Sequence, residues 1–276
     1  MEFVYKNWDM FCRKLAELNI FSVTSSNVLS GINTRFLILK HDVETKVKNA
    51  YRIAQIEHKY GHRGSYYVQA YLLKSSKNVK LLREMQSMGH EISYHYDVMD
   101  SCKGDIDSAL KEFRKNVSVF LECGFPIATL CQHGNPLIER KGYTSNRDFF
   151  RNPKIQALYP NMTDIMVDFK TKAKCDYVYI SDAGRQFNII FDPINNDIVK
   201  SDDKDIFIKS FDELIEHIKS NNCILSIHPH RWVNCAVTYK IRNYVFKFIK
   251  STVNFAYRVP GIKKIINKFY FLAKKI

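Results

Sequence analysis

Short apolar runs alternate with amphipathic helical stretches along most of this chain, and five of the runs stop at an acid or a histidine. The clearest is Leu37-Ile38-Leu39-Lys40-His41-Asp42-Val43-Glu44. Its aliphatic half reads as a buried strand, and its carboxylates sit where that strand ends. Asp42 and Glu44 are two residues apart, so an extended backbone points both to one side.

Further strands are expected at Ser65–Val68, His90–His95, Ile127–Cys131, Tyr177–Ile180, Asn188–Phe191 and Cys223–Ile227. Helices are expected over residues 3–18, 45–60, 76–88, 106–122 and 212–219, with Gly61, Gly89 and Gly124 as stops after three of them and Ser76 as a cap. The region 135–173 shows only short helices and loops. Strand–helix alternation of this kind implies a parallel sheet with helical crossovers. No GxGxxG or GxxxxGK[ST] loop follows any strand, which argues against a nucleotide cradle. The expected fold is therefore α/β, a distorted (β/α) barrel of about seven parallel strands. It forms one domain over residues 1–236, followed by a basic helical tail over 237–276.

In such a barrel the C-terminal strand ends open onto one face, where active sites are built. The first strand delivers His41, Asp42 and Glu44 there, and the third delivers His95, with Asp97 and Asp100 beyond. The fourth is followed by Gln132-His133-Gly134-Asn135-Pro136, the fifth by Ser181-Asp182-Ala183-Gly184, and the last by His228-Pro229-His230-Arg231-Trp232. A mixed carboxylate and imidazole set suits Zn²⁺ or a similar divalent ion. His90 and His95 are an odd number apart, so only one of them can serve the site. His58 and His62 flank a helix end and read as surface, as does His217.

These pieces resemble the polysaccharide deacetylase superfamily, the NodB-homology or carbohydrate esterase family 4 group, in a divergent branch whose first motif reads HDVD. The resemblance rests on residues 40–44, 89–95, 132–136, 181–184 and 225–229, in the family's order, and covers about residues 30–235. It implies a distorted barrel and a divalent metal, most simply Zn²⁺. It further implies that one carboxylate of the first motif binds metal and the other is the general base. Asp42 is assigned as base and Glu44 as ligand, an exchange of the two remaining open. By resemblance His95 is a metal ligand, His228 protonates the leaving amine, and Asp182 orients or tunes a catalytic partner. The family's usual second histidine in this motif falls at Val98 or Met99, so His133 is proposed to complete the set Glu44, His95 and His133, with Asp97 or Asp100 in reserve. Asn135, Arg231 and Trp232 are candidates for substrate contact.

The implied activity is metal-dependent hydrolysis of a non-peptide C–N bond. It would remove an acetyl or formyl group from a nucleotide- or lipid-linked sugar precursor of a bacterial surface polysaccharide. Two other classes fit the same residues. One is a non-catalytic carbohydrate-binding relative or membrane-tethered scaffold, and the other a metal-dependent hydrolase of esters or cyclic amides.

Composition bears on partners and address. The net charge of +14 looks like a nucleic-acid signature, but Tyr239–Ile276 holds eight Lys, two Arg and no acid, leaving +4 for residues 1–238. Over Lys240–Ala256, Ile241, Tyr244, Val245, Phe248, Thr252 and Phe255 share one helical face, and Ile262, Ile265, Ile266, Phe269 and Leu272 repeat the pattern beyond Pro260-Gly261. Two basic amphipathic helices suit an anionic membrane surface better than nucleic acid, for which no binding motif is present. Seven scattered cysteines without a CxxC pair, and a start with early acids and no apolar h-region, read as reduced thiols in a cytoplasmic protein. It would be peripheral on the inner face of the membrane.

Overall fold

The computed structural model describes residues 1–31, 35–135, 138–195 and 206–256, with side chains described as far as Phe248. Pro136 of the third motif and the second tail segment, residues 257–276, lie outside the described residues.

Among the described residues nine strands form one sheet: β1 (Leu37–Val43), β2 (Gly64–Val68), β3 (Glu91–Tyr96), β4 (Thr129–Gln132), β5 (Thr163–Asp164), β6 (Val178–Ser181), β7 (Asn188–Ile189), β8 (Ile206–Phe207) and β9 (Cys223–Ile227). The order is β5-β4-β3-β2-β1-β9-β6-β7-β8. The ladders from β5 through β6 are all parallel, which makes seven parallel strands, and β7 and β8 add antiparallel at the β6 edge. The α/β expectation holds.

Helices make the crossovers. They are α1 (Tyr5–Glu17), α2 (Ser25–Leu29), α3 (Val47–Lys59), α4 (Ser76–Ser87), α5 (Val98–Ser101), α6 (Ile106–Glu122), α7 (Asp148–Arg151), α8 (Pro153–Leu158), α9 (Phe169–Ala173), α10 (Phe211–Ser220) and α11 (Ala236–Ala256). Gly89 and Gly124 leave α4 and α6 with φ of 90° and 82°, a left-handed turn that a side chain resists. Ser76 is not the cap of α4: Ser75 holds that position and makes no side-chain capping bond.

Strand parity sorts the residues onto two faces. Leu37, Leu39 and Val43 of β1, Tyr94 and Tyr96 of β3, and Leu225 and Ile227 of β9 pack outward into two clusters under the helices. The alternate residues Ile38, Tyr67, Cys131, Tyr179 and Ile224 gather in a third cluster inside the sheet. β4 and β6 lie five places apart in the strand order, yet Cys131 and Tyr179 share that cluster. The sheet therefore curls around its inner face in the manner of a barrel. Among the described residues no ladder joins β5 to β8. The chain start is pinned beside the last loop, where Tyr5 N–H donates to Val233 C=O and Val233 N–H to Phe3 C=O.

Candidate metal centre and active site

The inner face of β1 carries Lys40 and Asp42, with Glu44 just past the strand end. His95 comes from the inner face of β3, His133 follows β4, Asp182 follows β6, and His228 follows β9. Register places these ends side by side: His41 pairs with Ile227, His95 with Cys131, and Ser181 with Ser226.

One carboxylate oxygen of Glu44 and one ring nitrogen each of His95 and His133 lie within 4.8 Å of one another. His133 Nε2 is 3.2 Å from Glu44 Oε1. His95 Nδ1 lies 3.0 Å from Cys131 C=O, so it carries the proton of the neutral ring, and Nε2 keeps its lone pair for a metal. Burial pushes the His95 pKa down to about 3, which keeps that lone pair free at neutral pH. Burial alone would raise the Glu44 pKa, but the hydrogen bond and charge of His133 hold it well below the usual carboxylate range. Two imidazoles and an ionised carboxylate form a donor set that fits Zn²⁺. Ligand atoms of a second group, Asp42, His95 and Cys131, also lie within 4.8 Å of one another. It is the poorer fit, because burial pushes the Cys131 thiol far up and both oxygens of Asp42 are already engaged.

Asp42 is engaged by Lys40. The Lys40 ammonium lies 2.6 Å from both Asp42 oxygens and 3.3 Å from Ser226 Oγ, and is 1% exposed. Burial opposes the Asp42 charge, but Lys40, His95 and His228 outweigh it, and the carboxyl stays ionised. Across the site, His228 Nδ1 is 2.5 Å from Asp182 Oδ1, and His228 N–H donates to Asp182 Oδ2 at 2.9 Å. Arg231 donates to the same carboxylate at 2.8 Å and to the Asp182 carbonyl at 2.6 Å. His228 Nε2 then faces 3.8 Å from Asp42 Oδ2 and 3.9 Å from Glu44 Oε1.

Some sequence candidates lie elsewhere. His41, one residue from Asp42, faces the opposite side by parity. It is fully buried, stacked on Tyr66 at 4.2 Å, with Nε2 2.8 Å from Glu57 of α3. Trp232 is fully buried, stacked on Phe3 at 5.1 Å and edge-on to Trp8, so it anchors the loop and is closed to a substrate. Arg231 stays at the site and donates to Asp182, bracing the carboxylate that holds His228. His62 is 1% exposed, not a surface residue, and takes an N–H from Ser22 while lying 2.9 Å from Cys12 C=O.

Val98 and Met99, where the resemblance places a second histidine, are buried in the apolar cluster with α6. Asp100, the reserve ligand, is taken by Arg140 at 2.8 Å through two bonds, by Tyr143 at 3.1 Å and by Asn146 at 2.8 Å. Through Asn146, which also donates to His133 C=O at 2.8 Å, it steadies the loop that presents His133. Asp97, the other reserve, is half-buried beside His133, whose charge opposes a burial that still raises the Asp97 pKa. Asn135 is half-buried, and its carbonyl accepts from Arg140 at 3.0 Å.

Sequence reasoning gave Lys40 no role. Its parity with Asp42 was the available signal. All seven cysteines are free.

No family profile and no curated protein matches this chain. Solved structures do resemble it. One is the catalytic domain of a peptidoglycan N-acetylglucosamine deacetylase from Eubacterium rectale, at 11% identity over 78% of this chain and 85% of that one, with a TM-score of 0.40. Another is a CE4 esterase from Streptococcus mutans, at 10% identity over 84% and 89%, with a TM-score of 0.43. A third is a mutant of a CE4 family pseudoenzyme with restored activity, at 13% identity over 80% and 64%, with a TM-score of 0.38. These neighbours come from the polysaccharide deacetylase group that the motifs resemble. The likeness is weak in sequence and in shape, and the site stands on its own geometry.

Proposed function

We propose that the protein is a metal-dependent hydrolase that removes an acetyl or formyl group from the amide nitrogen of a sugar, a precursor of a bacterial surface polysaccharide. The supporting observation is the pairing of an Asp182-backed His228 with the Asp42 carboxylate, Nε2 to Oδ2 3.8 Å, beside the Glu44, His95 and His133 group. The sugar comes from the motif resemblance.

Glu44, His95 and His133 would hold the ion, and a bound Zn²⁺ would polarise the acyl carbonyl and acidify water. Asp42, ionised and fixed by Lys40, takes a proton from the attacking water. As the water oxygen bonds the acyl carbon, the C–N bond breaks. The departing nitrogen receives a proton from His228 Nε2, while Asp182 accepts the bond from Nδ1–H and keeps Nε2 aimed at the reacting atoms. The products are a carboxylic acid and a free amino sugar. Asn135, beside His133, and Arg231, beside Asp182, are the remaining candidates for substrate contact.

The test is acetate or formate release from N-acylated sugars, including nucleotide- and lipid-linked forms, by zinc-loaded protein. Release that requires His228 supports the reading. Hydrolysis confined to simple esters would replace it with esterase chemistry, and tight sugar binding without release would replace it with a carbohydrate-binding role.

A further inference from the structure

The first tail helix exposes the face that its sequence marks as apolar. On α11, Tyr239 is 5% exposed and Phe246 lies under the Arg185 guanidinium at 4.9 Å, so these two hold the helix against the body. The opposite stripe points to solvent: Val237 is 66% exposed, Ile241 60%, Tyr244 73% and Phe248 63%. Their spacings of four, three and four residues put them on one line along the helix. Lys240 and Lys247 are exposed along one flank of that line. Lys240 lies 3.5 Å from Glu2, yet its side chain remains 72% exposed. The chain then runs on through residues 257–276 with six more Lys or Arg and no acid.

We propose that this stripe is a docking surface for an anionic lipid bilayer, a role independent of the reading of the active site. An isolated exposed Leu or Ile is ordinary, but four aligned apolar side chains, two of them aromatic, are not. Lying flat at a bilayer surface buries such a stripe among acyl chains while the flanking ammonium groups meet lipid phosphates. No helix among the described residues is long and apolar enough to cross a membrane, which leaves a helix lying in the interface. The charge argues against the other occupants. A second copy would bring two strongly cationic segments face to face, and residues 257–276 would do the same within one chain. A nucleic acid offers phosphates but nothing to cover Val237 and Ile241.

The test uses the full chain with vesicles of equimolar phosphatidylglycerol and phosphatidylcholine, and with phosphatidylcholine alone. The protein sediments with the anionic vesicles, and pure phosphatidylcholine or molar salt weakens its partitioning at least about tenfold. The triple variant Val237→Ser, Ile241→Asn, Tyr244→Ser keeps the circular dichroism and melting temperature of the parent but binds about tenfold more weakly. In a Tyr244→Trp variant the emission that remains after subtracting that of the parent, whose Trp8 and Trp232 are buried, starts red, as for exposed indole, and shifts blue when anionic vesicles are added. Equal partitioning of the triple variant and its parent would overturn the proposal. So would an emission already blue without vesicles, which marks a stripe covered by the chain itself. A dimer that the triple substitution dissolves, with no vesicle binding, would give the stripe to a second copy.

Discussion

His228 Nδ1 lies 2.5 Å from Asp182 Oδ1, and that same oxygen accepts from Arg231 at 2.8 Å. One buried carboxylate thus fixes the ring orientation of His228 and holds its loop. Burial would raise the Asp182 pKa, but Arg231 and His228 keep it far below the ordinary range, so Asp182 stays an acceptor throughout the physiological window. Asp182→Asn should lower kcat about 10²–10⁴-fold, the scale of a misdirected general acid, while metal content is unchanged. Steady-state kinetics with zinc analysis checks this. Undiminished kcat would remove Asp182 and His228 from the chemistry.

Lys40 is the second positioning residue. Replacing it with Met leaves Asp42 buried without a cation, which should cost about 3–5 kcal/mol of stability. It also removes the main influence that keeps Asp42 ionised against burial. The Asp42 pKa must then rise, and the acid limb of the pH–rate profile moves upward. A Lys40→Met protein whose profile keeps its acid limb in place would show that Asp42 is not the base.

Stability should fall on mild acidification through the buried histidines, among them His62 and His90 outside the site. Burial lowers the pKa of His62 and His90 below the ordinary imidazole value of about 6.5. Below about pH 6.5 the unfolded chain binds protons that the folded chain refuses, so stability drops as pH falls. The drop amounts to at most about 1.4 kcal/mol per pH unit for each group. Asp164 acts in the opposite sense. Burial lifts it to about 6, so below pH 6 the folded state holds a proton that the unfolded state loses down to its ordinary value of 3.8. Urea midpoints measured from pH 7.5 to 6.0 isolate the histidines. A midpoint that rises toward pH 6.0 would contradict this assignment.

Much of the scaffold was legible because each long parallel strand is a short apolar run bounded by turn signals, as in Leu37–Leu39 and Cys223–Ile227. β5 and β8 were missed because two residues carry no periodicity, and β7 gave no sign that it runs antiparallel. Strand-end position located Glu44, His95, His133, Asp182 and His228, which the fold brings together. The same rule misplaced His41, because it registers where a strand stops and ignores which face a residue takes. Face parity separates His41 from Lys40 and Asp42. Trp232 was illegible for another reason: its burial is decided by Phe3 and Trp8, more than two hundred residues away in the chain. In the tail, periodicity identified the apolar face of α11, but only the fold shows that Ile241 and Tyr244 on it are exposed.

The division of labour between the two carboxylates of β1 is the central claim, and zinc stoichiometry measured beside deacylation tests it most directly. Asp42→Asn should bind zinc like the parent and lose turnover. Glu44→Gln should lose zinc, because Glu44 completes the set with His95 and His133. Loss of zinc in Asp42→Asn together with its retention in Glu44→Gln would contradict the account and exchange the two roles.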